Sequence, residues 1–109
     1  MAQPTELLQG TLDLVVLKAL ALGPLHGWAI SKRVTQLSEN ALQVHQGSLY
    51  PALYRLEDKG WIESEWGHSP DGRRIRSYRL TAAGRRAFAQ ERAEWRAFST
   101  AVELVLSAT

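Results

Sequence analysis

The sequence predicts a mainly α chain with one small β-hairpin, on three observations. Apolar residues recur at helical spacing in four separate stretches. Two short strand-like runs flank a cluster of turn formers, and the final stretch carries no helix breaker after Gly84.

Thr11 to Leu22 reads as the first helix. Leu12, Val15, Val16, Ala19 and Leu20 fall at i, i+3, i+4, i+7 and i+8, while Leu14, Leu17 and Ala21 carry apolar character to other faces. A helix apolar all round must be covered on more than one side. Gly23-Pro24 stops it. The second helix is expected over Gly27 to Ser38, with Ala29 or Ile30, Val34 and Leu37 inward and Lys32, Arg33 and Gln36 outward. Leu42 and Val44 alternate in the link Glu39 to Gln46, a pattern for a brief strand. The third helix is expected to begin at Ser48 as N-cap, with Pro51 in its first turn, where the missing N–H costs nothing. Leu49, Ala52, Leu53 and Leu56 form its buried face, and Gly60 ends it. Trp61 to Trp66 and Ile75 to Leu80 form a hairpin around Gly67 to Gly72, with a mobile tip. Thr81 caps a last helix of about 37 Å. This order is that of a winged helix-turn-helix over residues 1–81, with 82–109 a long C-terminal dimerisation helix joined to it in one compact unit.

At 109 residues the chain suffices for one such unit, burying roughly 60–70% of its unfolded surface. With 45% hydrophobic and 22% charged residues it lies in the ordinary globular range. The absence of cysteine excludes a disulfide framework, a thiolate metal site and a thiol switch, and is consistent with the cytoplasm. Met1 to Gly10 has no basic segment leading into an apolar one, so no secretory signal is expected. Leu12 to Leu25, the most apolar stretch, is interrupted by Asp13 and Lys18 and is shorter than the ~20 residues of a membrane span.

The formal charge is only +2, yet it is unevenly spread. Residues 1–70 carry five basic and seven acidic side chains, and residues 87–109 carry two and three. Residues 71–86 hold six arginines against one aspartate. Such a local concentration on a hairpin fits phosphate neutralisation better than a uniformly solvated surface does.

In this fold the second helix crosses the DNA backbone, the third enters the major groove and the hairpin reaches neighbouring phosphates. Lys32 is the candidate backbone contact of the second helix. Opposite the buried face of the third lie Gly47, Tyr50, Pro51 and Tyr54, flanked by Ser48 and Arg55. Tyrosine offers a flat surface for a sugar or base edge and a hydroxyl for phosphate; the alternative is that Tyr50 and Tyr54 prop the wing. Gly47 permits close backbone approach, and free N–H groups at the helix start suit an anion. Arg73, Arg74 and Arg76 are the candidate wing contacts.

Phe88, Trp95, Phe98, Val102 and Val105 are spaced 7, 3, 4 and 3 along the last helix, and Leu106 thickens the seam. A second copy covers such a seam most economically, with Leu14 and Leu17 of the first helix helping. Folding back onto its own domain is the alternative. Trp95 and Phe98 are also the candidates for an effector pocket between subunits.

These residues resemble the PadR-like transcriptional regulators, in particular the short subfamily ending in a single C-terminal helix. The resemblance rests on Leu8-Gln9-Gly10-Thr11-Leu12-Asp13-Leu14, Leu25-His26-Gly27, Gly47-Ser48-Leu49-Tyr50-Pro51-Ala52-Leu53 with Arg55-Leu56-Glu57, and Gly72-Arg73-Arg74 leading to Tyr78-Arg79-Leu80-Thr81. It implies a cytoplasmic homodimer on an inverted repeat of double-stranded DNA, usually a repressor and often relieved by a small apolar or aromatic effector. It places Ser48, Tyr50, Pro51 and Tyr54 on the recognition helix and Arg73, Arg74 and Arg76 on the basic wing. Trp28 stands where tyrosine is frequent, and Ile75 and Ser77 where a basic and an aromatic residue are frequent.

An enzyme is not expected. His26, His45 and His68 are scattered without metal-ligand spacing, and no third group accompanies His45 and Ser48. No cofactor or metal is implied. The rival reading is a winged-helix protein-interaction module without sequence-specific DNA binding, since the fold alone does not establish DNA recognition.

Overall fold

The computed structural model describes residues 5–6 and 9–109, with side chains from Gly10 onward. Leu8 of the first motif, and most of the stretch read for a secretory signal, lie outside the described residues. The elements run β1 (Thr5–Glu6), α1 (Gln9–Ala21), β2 (Leu25–His26), α2 (Gly27–Leu37), β3 (Leu42–Gln43), α3 (Gln46–Asp58), β4 (Ile62–His68), β5 (Arg74–Leu80) and α4 (Ala82–Leu106).

The all-round apolar character of α1 makes it the hub of the core. Leu12, Val16, Leu17, Ala19 and Leu20 are all buried there. Ile30 and Val34 of α2, Leu49, Ala52, Leu53 and Leu56 of α3, and Ile62, Tyr78 and Leu80 of the hairpin close around it. Leu17, expected on a dimer face, is therefore fully enclosed within its own protomer; Leu14 is partly exposed. Leu37, expected inward, is 56% exposed. It occupies the last turn of α2, where the chain reverses through Glu39 and Asn40 in the left-handed region (φ 53° and 68°), beyond the reach of the core.

Helix α3 begins two residues before Ser48. His45 is its N-cap, extended and without a side-chain cap, and the Ser48 and Leu49 N–H groups both donate to the His45 carbonyl. Pro51 consequently lies in the second turn instead of the first. The exit of α3 is tighter: Gly60 adopts φ +76°, its N–H donates to the Glu57 carbonyl, and the Trp61 N–H to the Leu56 carbonyl. That paired closure is the Schellman arrangement, which a side chain at Gly60 would strain.

The hairpin is longer than its sequence pattern indicated. β4 and β5 pair antiparallel from Ile62↔Leu80 to His68↔Arg74. β2 adds a third strand on the other edge of β5 through Leu25↔Tyr78 and His26↔Ser77. A separate parallel pair joins Thr5 to Leu42 and Glu6 to Gln43. The tip, expected to be mobile, is closed by the Ser69 N–H to the Arg73 carbonyl (2.8 Å), the Gly72 N–H to the Ser69 carbonyl (2.9 Å), and the Arg73 N–H to Ser69 Oγ (3.1 Å). The Ser69 hydroxyl also donates to Asp71, and this bond holds the Asp71 carboxyl below the usual carboxylate range.

Thr81 caps α4 as expected, accepting from the Gly84 N–H at 3.0 Å. Its hydroxyl donates to the Gly60 carbonyl at 2.6 Å, and its own N–H donates to the Trp61 carbonyl at 3.0 Å. The start of α4 is thereby fastened to the end of α3. Only the first turns of α4 lie against the core, through Gly84 and partly buried Phe88, whose ring faces the Lys18 ammonium at 5.9 Å. The remainder projects, and the molecule extends 60 Å along its longest axis.

A Cβ at Gly84 would collide with the Trp61 carbonyl oxygen, a backbone atom that cannot rotate away. Gly84→Ala is expected to lower the unfolding free energy by about 2 kcal/mol despite the better helix propensity of alanine, read by chemical denaturation.

Candidate nucleic-acid interface

Burial of Leu49, Ala52, Leu53 and Leu56 leaves the opposite side of α3 facing solvent. Tyr50 is 46% exposed and Tyr54 76%, with exposed Gly47 and Pro51 and half-buried Ser48 beside them. The two tyrosines differ in constraint. Tyr50 lies across the start of α2, where a Cβ at Gly27 would stand 2.8 Å from its hydroxyl oxygen. Tyr54, more exposed, is the freer of the two rings. The missing side chain at Gly27 thus makes room for one ring of the exposed face.

Alternation along the hairpin places Ser64 and Trp66 of β4 on the same side as Tyr78 and Arg76 of β5, their register partners. Trp66, Arg76 and Tyr78, with Tyr50 and the start of α2, wall an open cleft of about 870 Å³, onto which Trp28, Arg73 and Arg74 also face. The indoles of Trp28 and Trp66 are both about half exposed. Trp28 sits 6.2 Å from the His26 ring, and His26 Nδ1 is hydrogen-bonded to Ser77 Oγ at 3.1 Å. Ser77, one of the two departures from the family pattern in this strand, therefore ties β5 to the short β2.

The arginines divide into two groups that the sequence did not separate. The Arg74 guanidinium lies 4.2 Å above the Trp66 ring, and Arg73 is exposed at the tip; neither has a carboxylate partner among the described residues. Lys32, on the outer face of α2, is likewise exposed and unpaired there. By contrast, Arg55 Nη2 donates to Asp13 Oδ1 at 2.9 Å, joining α3 to α1, with its side chain 30% and the Asp13 side chain 15% exposed. Arg76 donates from Nε to Ser64 Oγ at 2.8 Å and from Nη2 toward Glu57 at 3.4 Å. Arg79 pairs with Glu63 at 2.7 Å on the opposite side of the hairpin. Arg55 and Arg76, both expected at the nucleic acid, thus also have partners within the protein, and the Arg76 side chain stays 41% exposed. Burial raises the Tyr78 phenol above its ordinary value, against the opposing effect of nearby Arg76, so it is neutral at physiological pH.

The seam of α4 is exposed from its middle onward: Trp95 is 50% and Phe98 68% exposed, and Val102, Val105 and Leu106 follow them. Trp95 and Phe98, with Leu14 of α1, border a shallow groove of about 300 Å³. Among the described residues no helix is long and apolar enough to cross a membrane, and no cluster of three His, Asp or Glu side chains is placed to hold a metal ion.

Removing the Asp13 carboxylate leaves Arg55 half-enclosed without its acceptor. Asp13→Ala is expected to cost about 1 kcal/mol of stability, with Arg55→Ala on top of it adding little, in a double-mutant cycle read by denaturation.

A model of the transcriptional regulator PadR-like family matches residues 16–90. Transcriptional regulator Rv3488 of Mycobacterium tuberculosis is 37% identical over 87 residues, which span 80% of this chain and 78% of that protein. Among solved structures, a transcriptional regulator from Clostridium thermocellum shares 28% identity at a TM-score of 0.80, over 87% of this chain and 92% of its own. A PadR family transcriptional regulator from Eggerthella lenta shares 30% identity at a TM-score of 0.79, over 93% and 86%.

Proposed function

The chain belongs to the PadR-like family of transcriptional regulators, and on that premise we propose that it is a cytoplasmic, sequence-specific DNA-binding repressor that acts as a homodimer on an inverted repeat. The observation that carries this reading is the exposed Tyr50/Tyr54 face of α3 standing beside a wing whose tip arginines, Arg73 and Arg74, have no carboxylate partner among the described residues. Tyr54, the freer ring, meets a base edge or the adjoining sugar. Gly47, Ser48 and Pro51 form the closely approaching start of the helix, and Tyr50 lies where α3, α2 and the wing converge. Arg73, Arg74 and Lys32 neutralise phosphates. Arg55 braces α3 against α1.

Residues 82–109 supply the dimer contact. An α4 seam of Trp95, Phe98, Val102, Val105 and Leu106 is a large apolar surface that the described residues of its own protomer leave half or more exposed at Trp95, Phe98, Val105 and Leu106. Leu14 completes it at the base, and half-buried Phe88 marks where the seam leaves the core. A small apolar or aromatic effector would be held between subunits by Trp95 and Phe98, within the groove beside α1.

Selection from random duplexes is expected to return a two-fold symmetric consensus; no enrichment would instead favour a protein-binding role. On that consensus Tyr54→Ala should weaken specific binding about tenfold or more and non-specific binding little. Arg73→Ala should weaken both alike and lower the slope of log affinity against log salt by about 0.9. Sedimentation at micromolar concentration should show a dimer, and Trp95→Glu a monomer; a monomeric wild-type protein would remove the basis for the inverted repeat.

A further inference from the structure

We propose that Arg76 is a positioning residue which, through Glu57 and Ser64, sets the angle of the wing against the DNA-facing side of α3, and that it is not a phosphate contact. The inference rests on the DNA-reading role proposed above. It concerns Glu57, the acid of the Arg55-Leu56-Glu57 run, whose purpose the sequence left open.

Glu57 follows Tyr54 by three residues and Tyr50 by seven, so it ends the stripe that carries both tyrosines. Ser64 Oγ donates to the two Glu57 carboxylate oxygens at 3.1 and 2.9 Å. Arg76 donates to Ser64 Oγ from Nε at 2.8 Å and toward the same carboxylate from Nη2 at 3.5 and 3.4 Å. Three side chains from α3, β4 and β5 therefore close a ring of mutual hydrogen bonds. The guanidinium is flanked by Trp66 at 5.5 Å and Tyr78 at 5.7 Å, so its Nε and Nη2 are engaged within the protein beside two aromatic rings while the side chain stays 41% exposed. An isolated ion pair with side chains 41% and 35% exposed would contribute little; closure of the ring and the two flanking rings give this one a defined geometry. Arg74, which stacks on Trp66, has no carboxylate partner and no comparable tie to α3 among the described residues.

Charge makes the inference decisive. Glu57 places a carboxylate on the side of α3 that would approach a polyanion, where by itself it repels phosphate. Glu57→Gln removes that repulsion and should tighten DNA binding if electrostatics alone is at work. If Glu57 and Arg76 hold the wing, the same change must weaken it. Arg76→Lys keeps the positive charge but loses the planar fork, so a phosphate contact would survive it and a brace would not.

The experiment measures binding of the selected consensus duplex and a scrambled duplex by the wild-type protein, Glu57→Gln, Arg76→Gln, Arg76→Lys and the double variant Glu57→Gln/Arg76→Gln. Each single change is expected to lower consensus affinity about fivefold, and the double variant to lose no more than either Gln variant. The ratio of consensus to scrambled affinity falls while the salt slope stays at the wild-type value. Tighter binding by Glu57→Gln, wild-type binding by Arg76→Lys, or a slope reduced by about 0.9 in Arg76→Gln would each overturn the assignment. Amide hydrogen exchange of the free protein separates this from the DNA reading. Exchange in β4 and β5 should be several-fold faster in Glu57→Gln and Arg76→Gln than in wild type, and unchanged exchange overturns the brace even where DNA is bound. A wild-type protein that selects no sequence defeats the DNA reading, while faster exchange would still support the brace.

Discussion

One helix has to satisfy two surfaces at once, and the rest of the molecule follows from that. The stripe Leu49, Ala52, Leu53 and Leu56 of α3 is enclosed by α1, α2 and the hairpin. Burying four such positions is worth several kcal/mol at roughly 25 cal/mol per Å², which orients the helix about its axis with little freedom to roll. Tyr50, Tyr54 and Glu57 are then turned outward together, whatever they meet there. The surrounding contacts fix the remaining degrees of freedom: Asp13 holds Arg55, Tyr50 lies against Gly27, and the Gly60 closure sets where the chain departs toward the wing.

Much of this was legible in the sequence because periodicity reports burial directly. The core stripes of α1 and α3, the hairpin and the Thr81 cap all follow from apolar spacing and turn chemistry. The exceptions share a cause. Ser48 is the better capping residue by intrinsic preference, yet α3 starts at Gln46 behind His45, because tertiary packing of the preceding link outweighs a preference worth about 1 kcal/mol. Leu17 is indistinguishable from Leu14 on a uniformly apolar helix; only the placement of the neighbours separates enclosed from half-exposed. β2 is two residues long and shows no alternation to detect.

Pairing of charges was the least legible feature of the site. Arg55 finds its acid 42 positions away and Arg76 finds Glu57 19 positions away, separations across which spacing rules carry no information. The run of arginines in residues 71–86 is accordingly a weaker electrostatic feature than its composition suggests. Arg76 and Arg79 are offset by Glu57 and Glu63, and Arg85 and Arg86 stand on exposed positions of α4 behind the wing. What remains at the tip is Arg73 and Arg74, held by a turn whose Ser69 and Asp71 bonds order the backbone without neutralising either guanidinium.

The junction at Thr81 has a mechanical meaning. Its hydroxyl donates to the Gly60 carbonyl while accepting from the Gly84 N–H, so the long α4 is anchored on the same few atoms that end α3. A rod of roughly 37 Å converts a shift of about 2 Å at its far end into a tilt of only about 3° at the pivot. The arrangement has the geometry of a reducing lever: a displacement at the far end of α4 corresponds to a small rotation where it meets the end of α3. Gly84, pressed against the Trp61 carbonyl, is the fulcrum.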